Sequence, residues 1–187
     1  MQNSIAIGPI IGTALSAFLL TLIISKPIIL WLQSHQFGQV VRDDGPKSHY
    51  SKQGTPTMGG VILVLIIALC SIVWGPSRDW HLWLMISVML GFAWIGWWDD
   101  FLKIRRQNSH GLKAKWKYLW QSVLAMIAAL LLYFFQANHG MVIVPFTANT
   151  IWHIGAASIL LAYFVITGTS NAVNLTDGLD GLVIVPV

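Results

Sequence analysis

Asp99 and Asp100 stand side by side directly after the apolar run Leu82–Trp98, in a chain of 187 residues that contains no glutamate. A second acidic pair, Asp177 and Asp180, closes a long uncharged stretch in the segment NAVNLTDGLDGL. A carboxylate inside a bilayer costs about 2.5–3.5 kcal/mol on insertion scales. Four of the seven acidic residues are therefore either at a water interface or expensive. Two carboxylates about 5 Å apart repel by roughly 3 kcal/mol at an effective dielectric of 20. Magnesium relieves such repulsion and takes oxygen ligands from a few carboxylates, phosphates and water. The placement predicts a site at a membrane surface that binds a cation, a phosphate-bearing ligand, or both. Lys103 follows Asp99 by four residues and shares its face on a continued helix. The plainer alternative is an interfacial helix end carrying solvated acids.

Other segments carry polar groups at suggestive spacing. Asp177 and Asp180 are each followed by glycine, and Asn171 and Asn174 add amide donors and acceptors. Glycine permits close approach of backbone to a ligand. An EF-hand fits poorly, because its alternating acids and terminal glutamate are missing; a polar turn between spans is the simpler alternative. Lys52-Gln53-Gly54-Thr55-Pro56-Thr57-Met58-Gly59-Gly60 opens an apolar run. Backbone N–H groups at such a helix start can face an anion, with Lys52 as a point charge. The Gly-Lys-Ser/Thr order of a Walker motif is absent. In Gly111-Leu112-Lys113-Ala114-Lys115-Trp116-Lys117-Tyr118 basic and bulky residues alternate. For Lys113 and Lys117 a basic membrane flank with an aromatic anchor is the simpler account. The histidines are scattered without metal-ligand spacing and receive no metal role.

The elements that position these groups must be membrane helices. Hydrophobic residues make up 56% of the chain and charged ones 10%, with a mean hydropathy of +0.67. A soluble domain carries roughly 25% charged residues, so water-soluble classes are excluded. The single cysteine, Cys70, forms no intrachain disulfide. The N-terminal run has no basic residue before Lys26 and reads as a retained span, not a signal peptide. Spans of roughly 20 apolar residues are expected at about 6–32, 58–75, 80–98, 117–136 and 151–170. Gly75-Pro76-Ser77 marks the turn between the second and third, and Asn138, His139, Gly140 and Pro145 mark the break between the last two. The loop 33–57 is too rich in glycine and proline for one regular helix. Leu182–Val187 begins a further apolar segment, so the chain is expected to belong to a longer protein. The fold class is all-α: a polytopic transmembrane bundle of about five spans plus the start of a sixth, as a single domain over 1–187.

Lysine and arginine set the orientation. Arg42, Lys47 and Lys52 lie in the first loop, and Lys103, Arg105, Arg106, Lys113, Lys115 and Lys117 in the third. The positive-inside rule makes both loops cytoplasmic and the N-terminus periplasmic. Both acidic pairs then fall on the cytoplasmic side. The formal charge of +4 is accounted for by topology, and no nucleic-acid partner is expected.

Four segments, VVRDDGPKSHYSKQGTPTMGG, DDFLK, GLKAKWKY and NAVNLTDGLDGL, resemble in order and spacing the bacterial phospho-N-acetylmuramoyl-pentapeptide-transferase (MraY) family. The resemblance runs from about Phe37 to the C-terminus. It implies transfer of phospho-MurNAc-pentapeptide from UDP-MurNAc-pentapeptide to undecaprenyl phosphate, giving lipid I and UMP in peptidoglycan synthesis. It further implies a magnesium requirement, a site at the cytoplasmic face of the bacterial inner membrane, a ten-span fold and a homodimer. By motif position it implies that Asp99 deprotonates or orients the lipid phosphate beside Asp100. Lys52, Thr57 and Lys115 would line the phosphate region, and Asn174, Asp177 and Asp180 the nucleotide side. Asp99 and Asp100 would contribute at most part of a metal site. The family's principal magnesium aspartate and its histidine-rich loop fall in later segments that this sequence lacks, so the chain alone is expected to be inactive. Two alternatives remain at this stage: a related transferase using another UDP-N-acetylhexosamine, and a non-catalytic membrane protein or ion transporter. Transport acids belong near the midplane of spans, whereas these lie at cytoplasmic ends.

Overall fold

A computed structural model describes residues 7–34, 58–106, 111–136, 139–143 and 151–176. Within them the order is α1 (Ile7–Ser34), α2 (Gly59–Trp74), α3 (Trp80–Arg106), α4 (Ala114–Phe135), β1 (Met141–Ile143), β2 (Ile151–His153) and α5 (Ala157–Thr176). Hydrocarbon offers the backbone no hydrogen-bond partner, so a spanning segment must satisfy its own N–H and C=O groups as a helix. α1, α3 and α4 are long and apolar enough to cross a membrane. α2 is shorter at 16 residues, as is the apolar stretch Ala157–Val173 of α5. The sequence of α2, GGVILVLIIALCSIVW, is apolar on every face, the signature of a helix with lipid or protein all round. Ile23 of α1 and Met85 of α3 are each 70% exposed, which in lipid carries no hydrophobic penalty. The chain is a multi-pass, all-α membrane protein.

The chain divides into two compact units, Met1–Lys117 and Tyr118–Val187. In the first, α2 packs against both α1 and α3. Gly12 of α1 admits the indole of Trp74, since a Cβ there would lie 2.7 Å from two of its ring carbons. The turn after α2 is built by Asp79. Its backbone N–H donates to the Pro76 carbonyl at 2.8 Å. Its Oδ1 accepts the His81 amide at 3.0 Å and lies 2.7 Å from His81 Nδ1. Trp83 Nε1 donates across the same turn to the Ser77 carbonyl at 2.8 Å. Asp79 thus caps the first turn of α3, where free amides attract a carboxylate. The His81 backbone amide, followed by its ring, holds the Asp79 carboxyl below the ordinary carboxylate value.

In the second unit, the Tyr163 hydroxyl of α5 lies 3.1 Å from both Tyr118 Oη and Ser122 Oγ of α4. β1 and β2 pair antiparallel with Val142 opposite Trp152. At the hairpin base Gly140 has φ +71° and Gly155 φ +54°. A Cβ on Gly140 would lie 2.5 Å from the Gly155 Cα.

Two expected boundaries are corrected. The fifth helix starts at Ala157, because Ile151–His153 is β2 and the positive-φ Gly155 separates it from α5. α3 continues through Asp99 and Asp100 to Arg106. At 1.5 Å per residue its 27 residues reach about 40 Å, longer than a hydrocarbon core of about 30 Å. The apolar part, Trp80–Trp98, fills the core and the acidic pair rides on the overhang.

Two predictions follow from these local contacts. Gly140→Ala combines a left-handed backbone with a collision against Gly155, and should cost about 1–3 kcal/mol locally. Hydrogen exchange should report it as faster exchange of the Ile154 amide, which donates to the Gly140 carbonyl at 3.0 Å. Asp79 has a depressed folded-state value, so its contribution to α3 is fully present above the unfolded carboxylate pKa. It is lost as pH falls through the folded value. In an NMR titration His81→Ala should raise the Asp79 midpoint only part of the way to its ordinary value, because the backbone amide remains.

Candidate functional site

The overhang of α3 and the segment that begins α4 form one polar cluster around Asp99, which is only 7% exposed. Lys103 bridges the acidic pair, with Nζ 2.8 Å from Asp99 Oδ2 and 3.0 Å from Asp100 Oδ1. Both contacts follow from helical spacing at i,i+4 and i,i+3. Lys117, in the first turn of α4, places Nζ 3.5 Å from the same Asp99 Oδ2. Asp99 Oδ1 accepts the backbone amide of Leu112 at 2.7 Å. α4 itself is started by the Lys113 carbonyl, which accepts the amides of Trp116 and Lys117 at 2.9 and 3.1 Å. Arg106 Nη1 reaches the Gly111 carbonyl at 3.5 Å, so the end of α3 and the approach to α4 are joined at two points.

The electrostatics differ from an open pair of acids. Two carboxylates face two ammonium groups, and the repulsion between Asp99 and Asp100 is offset inside the protein by Lys103. Asp99 has both oxygens on donors, whereas the Asp100 side chain keeps about a third of its surface in solvent. A magnesium ion takes about six oxygens. Among the described residues no group of three His, Cys, Asp or Glu is placed to hold a metal. Of the two carboxylates, Asp100 is the more accessible, though it too is paired with Lys103.

The other expected site residues divide clearly. Lys115 lies in the first turn of α4 and is exposed. Two residues apart on a helix means nearly opposite faces, so Lys117 reaches Asp99 while Lys115 faces solvent. Asn174 falls in the last turn of α5, with its side chain outside the described residues. Lys52, Thr57, Asp177 and Asp180 also lie outside the described residues. Lys117, read from the sequence as part of a basic membrane flank, takes part in the cluster, as do the Leu112 amide and Gly111, which received no role there. Lys117 was legible only through helix register. A backbone donor has no residue-type signal.

A row of rings runs beside the cluster. Trp94 and Trp97 lie 5.0 Å apart, and Trp97 stacks on Phe101 at 5.3 Å and 17°. Trp94 and Trp97 also line an apolar groove against Val61, Val64 and Leu65 of α2. With no charged lining residue, the groove has no means of polar chemistry.

Comparison with known families locates both regions. The model of Glycosyl transferase family 4 matches residues 82–186 and so takes in α3, the Asp99 cluster and α4. The Phospho-N-acetylmuramoyl-pentapeptide-transferase signature 1 matches residues 52–67, the Lys52 segment and the first half of α2. A transferase-family match over more than half the chain favours the transferase reading over the ion-transporter alternative. The chain belongs to glycosyl transferase family 4 and, by the signature that opens α2, to its phospho-N-acetylmuramoyl-pentapeptide-transferases.

Proposed function

We propose that this protein acts in transfer of phospho-MurNAc-pentapeptide from UDP-MurNAc-pentapeptide to undecaprenyl phosphate, yielding lipid I and UMP for peptidoglycan synthesis. The observation that carries the reading is the coincidence of the muramoyl-specific signature at 52–67 with a paired-acid, paired-lysine cluster at the end of α3. That signature also favours this substrate over another UDP-N-acetylhexosamine. In the reaction an oxygen of the lipid phosphate attacks the sugar-bearing phosphorus. The new P–O bond forms as the bond to UMP breaks, and UMP leaves with the electron pair. Phosphoryl transfer needs positioning and charge neutralisation more than covalent help.

Lys103 and Lys117 supply fixed positive charge for phosphate oxygens. Asp99 holds both ammonium groups in place. A phosphate monoester loses its second proton near pH 6, so the nucleophile is largely dianionic at neutral pH without a protein base. Of the two roles open to Asp99, orientation is therefore favoured over proton removal. Its two oxygens already accept from three donors. Magnesium, when bound, would neutralise the diphosphate, with Asp100 as a contributing ligand. Lys52, Thr57 and Lys115 remain assigned to the phosphate region, and Asn174, Asp177 and Asp180 to the nucleotide. The reading places the protein in the bacterial inner membrane with a periplasmic N-terminus and a cytoplasmic site, as a homodimer. Support for the orientation comes from the basic residues of segments 33–57 and 101–117.

UMP release from membranes carrying each variant in a chain completed with the family's later segments tests the assignments. Asp99→Asn should lower turnover roughly 10- to 150-fold, the effect of losing one charged hydrogen-bonding partner. Substrate KM should change little, and the acid limb of the pH profile should persist. Disappearance of that limb would make Asp99 a proton acceptor instead. Asp180→Asn should act mainly on UDP-substrate affinity, by a similar factor; full activity in both variants would remove these acids from the site. Orientation is tested separately with Asn108→Cys in a Cys70→Ala background. An impermeant maleimide should label position 108 only after the inner membrane is opened, and labelling from the periplasm would reverse the topology.

A further inference from the structure

We propose that Gly111 is a positioning residue for the transfer site, kept without a side chain so that the start of the α4 segment can close onto the Asp99 carboxylate. The proposal rests on the placement of Asp99 in that site. Glycine is not required at 111 by backbone conformation: among the described glycines only Gly140 and Gly155 have positive φ. What distinguishes Gly111 is space. A Cβ built on it would collide with Asp99 Oδ1 and would lie 2.9 Å from both the Asp99 Cγ and the Asp99 carbonyl oxygen. These are a short side chain and a helix backbone, neither of which can swing away as the end of a long flexible chain would.

The closeness has two results. It brings the next amide, that of Leu112, to 2.7 Å from Oδ1. It also begins α4 close enough for Lys117 to reach Oδ2 at 3.5 Å. A carboxylate only 7% exposed depends on such donors to remain charged. One methyl group at 111 therefore pushes away two of the three donors at once, and the lysine charge moves with them.

The test combines a chemical probe of Asp99 with kinetics on the membrane-embedded protein completed with the family's later segments. Asp99 should resist a water-soluble carbodiimide in the wild type. In Gly111→Ala it should react several-fold faster relative to Asp79, the surface carboxylate that serves as internal standard. Protection of the buried Cys70 from maleimide reports that the fold persists. Turnover should fall about 10- to 100-fold, the usual effect of a misplacement near 1 Å, with KM for the UDP substrate nearly unchanged. Unaltered Asp99 reactivity with Cys70 still protected would overturn the proposal. Reactive Asp99 with undiminished turnover would uphold the steric role and overturn instead the placement of Asp99 at the reaction. Should Gly111→Ala fail to fold, the same change is made in Asp99→Ala, where the carboxylate that it meets is gone. Recovery of the fold there supports the proposal, and failure in both backgrounds overturns it.

Discussion

A charge that leaves water must find its partners in the protein, and Asp99 is where this chain meets that demand. The residue sits within α3, just past an apolar stretch long enough to fill the hydrocarbon, yet it is almost wholly covered. Its surroundings are arranged as donors: a lysine one turn on, a lysine from the next helix, and a backbone amide from the segment between. Removing any one leaves a covered carboxylate short of a partner, which is more costly than never having buried the group. The junction of α3 and α4 is thus tied together by an ion.

This arrangement changes how the acidic pair is understood. Adjacent aspartates in isolation call for a divalent cation. Here Lys103 sits between them and supplies the countercharge, so the pair divides its labour. Asp99 is the structural member, turned inward onto lysines. Asp100, also paired with Lys103, keeps about a third of its side-chain surface in solvent. Two lysines neutralised on one side by Asp99 are also held against thermal wandering, which a phosphate-binding ammonium on a four-carbon stem otherwise undergoes.

The membrane class and the five helical segments were legible because hydropathy is a strong signal. Boundaries were legible only where polarity and helix end coincide. α3 outruns its apolar stretch, since Asp99, Asp100 and Lys103 support one another at helical spacing and nothing at Trp98 breaks the backbone. Ile151–His153 is as apolar as a helix, so hydropathy could not separate the strand from α5; only Gly155 marks the change. Lys117 against Lys115 was a matter of register, which depends on where α4 starts, and that start is set by the Lys113 carbonyl. The Leu112 amide belongs to the main chain and is invisible to residue type. Lys52, Thr57, Asp177 and Asp180 lie outside the described residues, and their assignment rests on motif position.

The overhang of α3 links the site to the bilayer itself. Trp97, Trp98 and Phe101 form an aromatic cluster at the boundary of the apolar stretch, beside the acidic pair, and such rings settle at the headgroup level. The height of Asp99 and Asp100 above the hydrocarbon is then fixed by a mooring in the lipid as well as by contacts in the protein. A helix whose apolar length differs from the local thickness tilts or deforms its surroundings at a cost of fractions of a kcal/mol per Å. Tilting α3 would move the acidic pair along the membrane normal. Acyl-chain length thereby becomes a lever on the height at which the acidic pair stands, acting through mechanics alone.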